Sequence, residues 1–268
     1  TMLKKVLIGI LVLVVLGVAG FLALAVLVLK DTKNNMASLG DTVENFSVTT
    51  TDGRTLTLDE MLKEKDCVVV NVFTTWCGPC KAEFPEMEKA YEKDHARYEL
   101  VAVADDGNIT IDDVAAYQKE MGLTFPVGLF TKLNEDLATF AYPTTFIIDR
   151  NRKVGFRQEG TFPSAEEFEK TVALFTGDDY TARQVVRYTL YAMEKDGTPI
   201  PGVEAEVVSD GKTEIYTTGE DGFAACTMEN PGEVTVRVKS APEGYSFKDT
   251  ETKLDSKSAI VKLDVTKN

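Results

Sequence analysis

Cys67-Val68-Val69-Val70-Asn71-Val72-Phe73-Thr74-Thr75-Trp76-Cys77-Gly78-Pro79-Cys80-Lys81 is the stretch on which the reading of the fold turns. Its first seven residues are apolar except Asn71, which is the pattern of a strand buried on both faces. Two cysteines three apart then open a helical pattern that runs towards Arg97. At a helix start the first backbone N–H groups lack intrahelical acceptors, and the helix dipole places its positive end there. Both effects stabilise a thiolate at Cys77 and lower its pKa, so Cys77 is expected to be the exposed attacking sulfur. Cys80, one turn further in, is the shielded resolving thiol. Exchange through such a pair forms a mixed disulfide at Cys77, which Cys80 then cleaves.

A CxxC pair is also half of a zinc site, but a second pair of ligands is missing. Cys67, Cys226 and the single histidine, His95, are scattered singly along the chain. No metal and no bound cofactor are expected, and the redox group is the Cys77–Cys80 disulfide itself. Cys67 and Cys226 read as buried, inert hydrophobes, although the sequence leaves a bridge between them open. His95, at the polar end of the helical stretch, is expected to face solvent. Tyr142-Pro143-Thr144-Thr145 supplies an independent signal just before an apolar strand. A cis Pro143 would turn the chain and present the backbone of Tyr142 to an extended partner.

Around these motifs strands alternate with helices. Val43, Phe46 and Val48 alternate before a Thr51-Asp52-Gly53-Arg54 turn, and residues 100–104, 125–130 and 144–148 read as further strands. Residues 112–121 form an amphipathic helical pattern, and Ser164 with Glu167 makes a capping box for a helix reaching about Phe175. Together these predict an α/β sheet domain over residues 41–178. Beyond it the helical period disappears. Short strands at 187–193, 203–208, 214–218, 233–238 and 259–265 are punctuated by turns such as Asp196-Gly197, Asp210-Gly211 and Asp221-Gly222. That spacing predicts a small all-β sandwich over residues 179–268.

Residues 6–29 contain no charged residue, and as a helix they would measure about 36 Å, enough to cross a bilayer core. Ala23-Leu24-Ala25 has the form of a signal-cleavage site, but the apolar run continues to Leu29, so an uncleaved anchor over residues 1–30 is expected, with a linker at 31–40. Lys4 and Lys5 precede the run, and this weak positive bias puts the N-terminus in the cytoplasm and the bulk of the chain outside it. The net charge of −14 repels phosphate backbones and argues against nucleic acid as a partner.

Residues 41–178 resemble the thioredoxin superfamily, and within it the membrane-anchored TlpA/ResA branch of the AhpC/TSA–redoxin group. The resemblance is carried by Asp41-Thr42-Val43-Glu44-Asn45-Phe46, by residues 71–85 and by residues 142–150. It implies a thioredoxin-like α/β fold and a thiol–disulfide oxidoreductase tethered outside the cytoplasm. Its partners would be disulfide-bearing proteins, apocytochrome c or other envelope proteins among them, and a membrane thiol donor. Cys77 would be the nucleophile, Cys80 the resolver and Pro143 the cis proline. Asn71 stands where cytoplasmic thioredoxins carry a buried aspartate. Glu83, one helical turn beyond Cys80, would be the proton acceptor for its sulfur. Trp76, Gly78, Pro79, Tyr142 and Thr144 flank these groups and are the candidate client-binding residues, and Pro85 is expected to kink the helix.

The segment Glu194-Lys195-Asp196-Gly197-Thr198-Pro199-Ile200-Pro201-Gly202-Val203 resembles the first strand of prealbumin-like or Cna-B surface domains. The lysine that would form their isopeptide bond is absent, so none is expected. Anchor, acidic charge and surface-type β domain together suggest a Gram-positive envelope. Three alternatives stand beside a reductase: a disulfide-forming oxidase, a thiol peroxidase and a binding scaffold. The peroxidase motif P-x-x-x-T-x-x-C finds Thr74 in place, but Val70 where its proline should be.

Overall fold

The computed structural model describes residues 37–129, 137, 139, 141–254 and 260–268. The expected anchor at 1–30 lies outside the described residues. Among those described, no helix is long and apolar enough to cross a membrane.

The described chain opens with a hairpin of β1 (Ser47–Thr49) and β2 (Thr55–Thr57). Thr57 then caps α1 (Leu58–Glu64) by accepting the N–H of Glu60. β3 (Cys67–Phe73) is buried at every position. Its alternate side chains serve two cores, because strand residues point to opposite faces in turn. Val68, Val70 and Val72 join Leu58 and Met61 of α1, while Cys67, Val69 and Phe73 join Phe84, Met87 and Ala90 of α2 (Gly78–Lys93). β4 (Tyr98–Ala104), α3 (Ile111–Met121) and β5 (Val127–Leu129) follow, then β6 (Thr144–Asp149), β7 (Val154–Glu159) and α4 (Ala165–Ala173). The strands lie in the order β5-β4-β3-β6-β7. β3, β4 and β5 run parallel, and β6 is antiparallel to both β3 and β7.

α2 ends at Lys93, short of the expected Arg97. Asp94 leaves helical geometry at φ −166°, and the His95 ring stacks on Tyr91 at 4.0 Å with Nδ1 2.8 Å from the Tyr91 carbonyl. Pro85 lies inside α2, which continues through it.

The remaining strands are β8 (Val185–Tyr191), β9 (Glu204–Ser209), β10 (Lys212–Thr217), β11 (Phe223–Glu229), β12 (Val234–Ser240), β13 (Tyr245–Phe247), β14 (Thr252–Leu254), β15 (Ile260–Lys262) and β16 (Val265–Lys267). A sheet ordered β10-β9-β12-β14 shares a core with β8, β11 and β15. β8 also extends the α/β sheet, pairing with β7 at Phe156–Val185 and with β11 along its whole length. It therefore faces both ways. Val185 sits in the core with Phe156 and Phe175, whereas Val186, Tyr188 and Leu190 belong to the C-terminal core.

The crossing into β8 is pinned by side chains. Arg150 donates to the Gly177 carbonyl at 2.7 Å, the Tyr180 hydroxyl donates to Asp149 at 2.9 Å, and Arg150 and Arg183 lie over the Tyr180 ring at 5.0 and 5.5 Å. Gly155 in β7 has no space for a side chain, since a Cβ there would lie 2.2 Å from the Phe175 ring.

Candidate active site

The redox pair forms where β3 gives way to α2. Cys77 is the N-cap of the helix, its sulfur accepting the Cys80 N–H at 3.1 Å, and Pro79 stands in the first turn, where no N–H is needed. Cys77 and Cys80 are disulfide-bonded. Cys80 is fully buried, and Cys77 keeps only 4% of its surface. The sequence expectation of an openly exposed Cys77 is corrected to a nearly closed one, because the small ring folds both sulfurs against the helix start. The open surface beside it belongs to Gly78, Pro79 and Trp76, whose indole is 72% exposed and meets the Tyr142 ring edge-on at 6.1 Å.

The Tyr142–Pro143 bond is cis. Two aspartates at the end of β4 tie its loop and the cysteine loop together. Asp106 accepts the Thr75 N–H at 2.9 Å and the Thr75 hydroxyl at 3.1 Å, and Asp105 accepts the Tyr142 hydroxyl at 2.7 Å. Burial, followed by the hydrogen bond to Asp105 and its charge, holds the Tyr142 phenol well above its ordinary pKa, so it remains a donor.

Glu83 lies beneath the pair and is fully buried. One carboxylate oxygen accepts the Phe162 N–H at 2.8 Å and the other accepts Asn71 Nδ2 at 3.1 Å. Burial pushes its pKa up to about 7, while the bonds from Phe162 and Asn71 pull the other way. Asn71 Nδ2 also donates to Thr145 at 2.9 Å, and Asn71 Oδ1 has no partner. Glu83 follows Cys80 by one turn of α2.

The AhpC/TSA family model matches residues 39–157. The thioredoxin-like protein YneN of Bacillus subtilis (strain 168) is 31% identical over 175 residues, which are 63% of this chain and 98% of that protein. The chain belongs to this thioredoxin-like AhpC/TSA family. Thiol-disulfide oxidoreductase ResA of Bacillus thuringiensis subsp. konkukian (strain 97-27) is 32% identical over 148 residues, covering 53% of this chain and 82% of ResA. A solved thiol:disulfide interchange protein of Chlorobium tepidum TLS is 27% identical, covers 52% of this chain and 99% of its own, and superposes with a TM-score of 0.42. This AhpC/TSA member is an enzyme, a thiol–disulfide oxidoreductase of the ResA type.

In this oxidoreductase Cys77, Cys80, Pro143, Trp76, Gly78, Pro79 and Tyr142 come together at one end of the sheet, where the central strand β3 finishes and its neighbour β6 begins. Thr144 does not join that surface. It is fully buried, and its hydroxyl bonds the Ala141 carbonyl at 2.7 Å and the Thr139 hydroxyl at 2.9 Å, so it braces the proline loop from within. Asp105 and Asp106 hold the two site loops together. Their signal was their place directly after a parallel strand, the end where α/β sheets gather their sites. Phe162 carried no local signal, since it contributes only its backbone N–H. Cys67 and Cys226 are both buried and unbonded, and burial pushes both thiols up, Cys226 to about 12. Among the described residues no cluster of His, Cys, Asp or Glu could hold a metal ion.

Proposed function

We propose that this oxidoreductase is anchored in the membrane by residues 1–30 and works outside the cytoplasm as a reductase of protein disulfides. The observation that carries the direction is the Gly78-Pro79 dipeptide between the cysteines, which reducing thioredoxins share; thioredoxin itself has a potential of about −270 mV. In the reduced enzyme the Cys77 thiolate attacks one sulfur of a client disulfide and releases the other as a thiolate. Cys80, giving its proton to Glu83, attacks the Cys77 sulfur and frees the client thiol, which takes a proton. The client gains two electrons and the enzyme is left as the Cys77–Cys80 disulfide. A membrane dithiol donor returns the pair to the reduced state, so no further cofactor is required.

Trp76, the exposed Gly78-Pro79 and the Tyr142 backbone beside cis Pro143 form the client surface in this reading. Clients are envelope proteins with accessible disulfides, apocytochrome c among them, and the envelope is of the Gram-positive kind. The chain divides at residues 177–181 into the redox domain and a Cna-B-like β domain that serves as a spacer or partner module. Equilibrating the full chain with dithiol buffers tests the direction. A potential near or below about −270 mV is expected, and a value near about −120 mV would make it an oxidant.

A further inference from the structure

A groove of about 430 Å³ opens where the loop after β7 meets β8, β11 and β15. Arg187 of β8 lines it, yet the residue is only 5% exposed. Its Nε and Nη1 have no hydrogen-bond acceptor. Glu167 forms an ion pair with it, 3.6 Å from Nη1 and beyond hydrogen-bonding range, and the Phe162 ring lies 5.7 Å from the guanidinium carbon. Burial pulls the Arg187 pKa below its ordinary value, with the Glu167 charge opposing, but a guanidinium remains charged in proteins. A buried cation with idle donors is costly unless an acceptor completes it. Beside it the groove wall is apolar: Phe223 is partly exposed, and Ile260 is 61% exposed.

The same loop that walls the groove also builds the redox site. Gly160 N donates to the Pro143 carbonyl at 2.8 Å, and Phe162 N donates to Glu83 at 2.8 Å. Gly160 also lines the groove, so the groove and the cis-proline loop share a wall, and a client extended past Pro143 runs alongside it. A carboxylate matches the guanidinium fork through two parallel hydrogen bonds. Asp221 and Glu159 also line the groove, with Arg187 the one cation among the lining residues, so they oppose a doubly charged anion more strongly than a single carboxylate.

We infer that this groove is a second client subsite, in which Arg187 receives an aspartate or glutamate side chain of the disulfide-bearing polypeptide while an apolar neighbour covers Phe223 and Ile260. The inference rests on the protein-disulfide reading above. It gives the C-terminal strands a share in choosing clients, and it assigns Arg187 to specificity and not to the redox step.

The test uses the full chain and synthetic disulfide peptides with a single Glu placed one to eight residues from the reactive cysteine, each matched by a Gln peptide. A small aromatic disulfide, which does not reach the groove, serves as the reference substrate. In at least one register Glu should exceed Gln about tenfold in kcat/KM, through KM. Arg187→Gln should erase that preference and leave the aromatic disulfide untouched, and Ile260→Ser should weaken peptide binding severalfold. If Arg187→Gln fails to fold, Ile260→Ser and Phe223→Ala carry the test, because both side chains reach the surface. Equal rates for Glu and Gln in every register would overturn the subsite, as would a preference that survives Arg187→Gln. Inhibition by free propionate without any Glu preference would place a small carboxylate there and overturn it too. A wild-type chain that cannot turn over the aromatic disulfide would instead overturn the redox reading itself.

Discussion

Glu83 and Arg187 are two buried charged side chains near one loop, treated in opposite ways. Glu83 has a donor on each oxygen, Phe162 N and Asn71 Nδ2, and its remaining strain is desolvation, relieved by taking up a proton near pH 7. Arg187 cannot shed its charge, and two of its nitrogens face no acceptor. A group that can neutralise itself is suited to moving protons. A group that cannot do so keeps Glu167 at 3.6 Å as its counter-charge and still has hydrogen-bond donors to offer.

The largest expected effect that would break this comparison is at Glu83. Its folded pKa of about 7 lies above the ordinary 4.5, so between those values the folded chain holds a proton that the unfolded chain has released. Stability should therefore fall as pH rises from about 5 to 8, by about 3 kcal/mol in all. Glu83→Gln should abolish that slope and make the protein more stable than wild type at pH 8. The amide oxygen of the introduced glutamine would still accept from Phe162, and Asn71 could turn its idle Oδ1 towards the new amide nitrogen. Urea denaturation across that pH range reads the slope, and an unchanged slope would show that Glu83 is not the group responsible.

Arg187→Met comes next. Removing a cation with unused donors, and keeping most of its volume, should leave stability unchanged or raise it by about 1–2 kcal/mol. A loss of more than about 2 kcal/mol would mean that the Glu167 contact and the Phe162 ring already satisfy the guanidinium. Glu167→Gln is the smallest and sharpest check. That carboxylate is 36% exposed and out of hydrogen-bonding range, so its loss should cost less than about 1 kcal/mol in thermal or chemical melts.

The redox half of this comparison was legible in the sequence because its signals are local. Seven residues of near-continuous apolar character marked β3 and the cysteines fell at a helix start, while Glu83 was picked out by the resemblance to the TlpA/ResA branch. The other half depends on pairing across long separations. β7 and β11 were not read as strands. In β11, Phe223–Glu229, only Cys226 is buried, so the alternation has almost no apolar face to show. Arg187 was read as an early residue of a strand in a separate sandwich. Nothing near it in sequence says that β8 lies against β7, or that its side chain turns towards the Gly160–Phe162 loop. The bonds of Asp105 and Asp106 are long-range in the same way: each joins a residue more than thirty positions away.

β8 also settles a question of solubility. In the order β5-β4-β3-β6-β7, the β7 side of the sheet would end in an open edge, a template on which any stray strand could grow. β8 meets that edge at the Phe156–Val185 pair and then gives its hydrogen bonds to β11 and β15, so the chain interrupts that template from within. The C-terminal strands thus act as an internal guard against edge-to-edge aggregation in an enzyme whose trade is handling other proteins with loosened bonds.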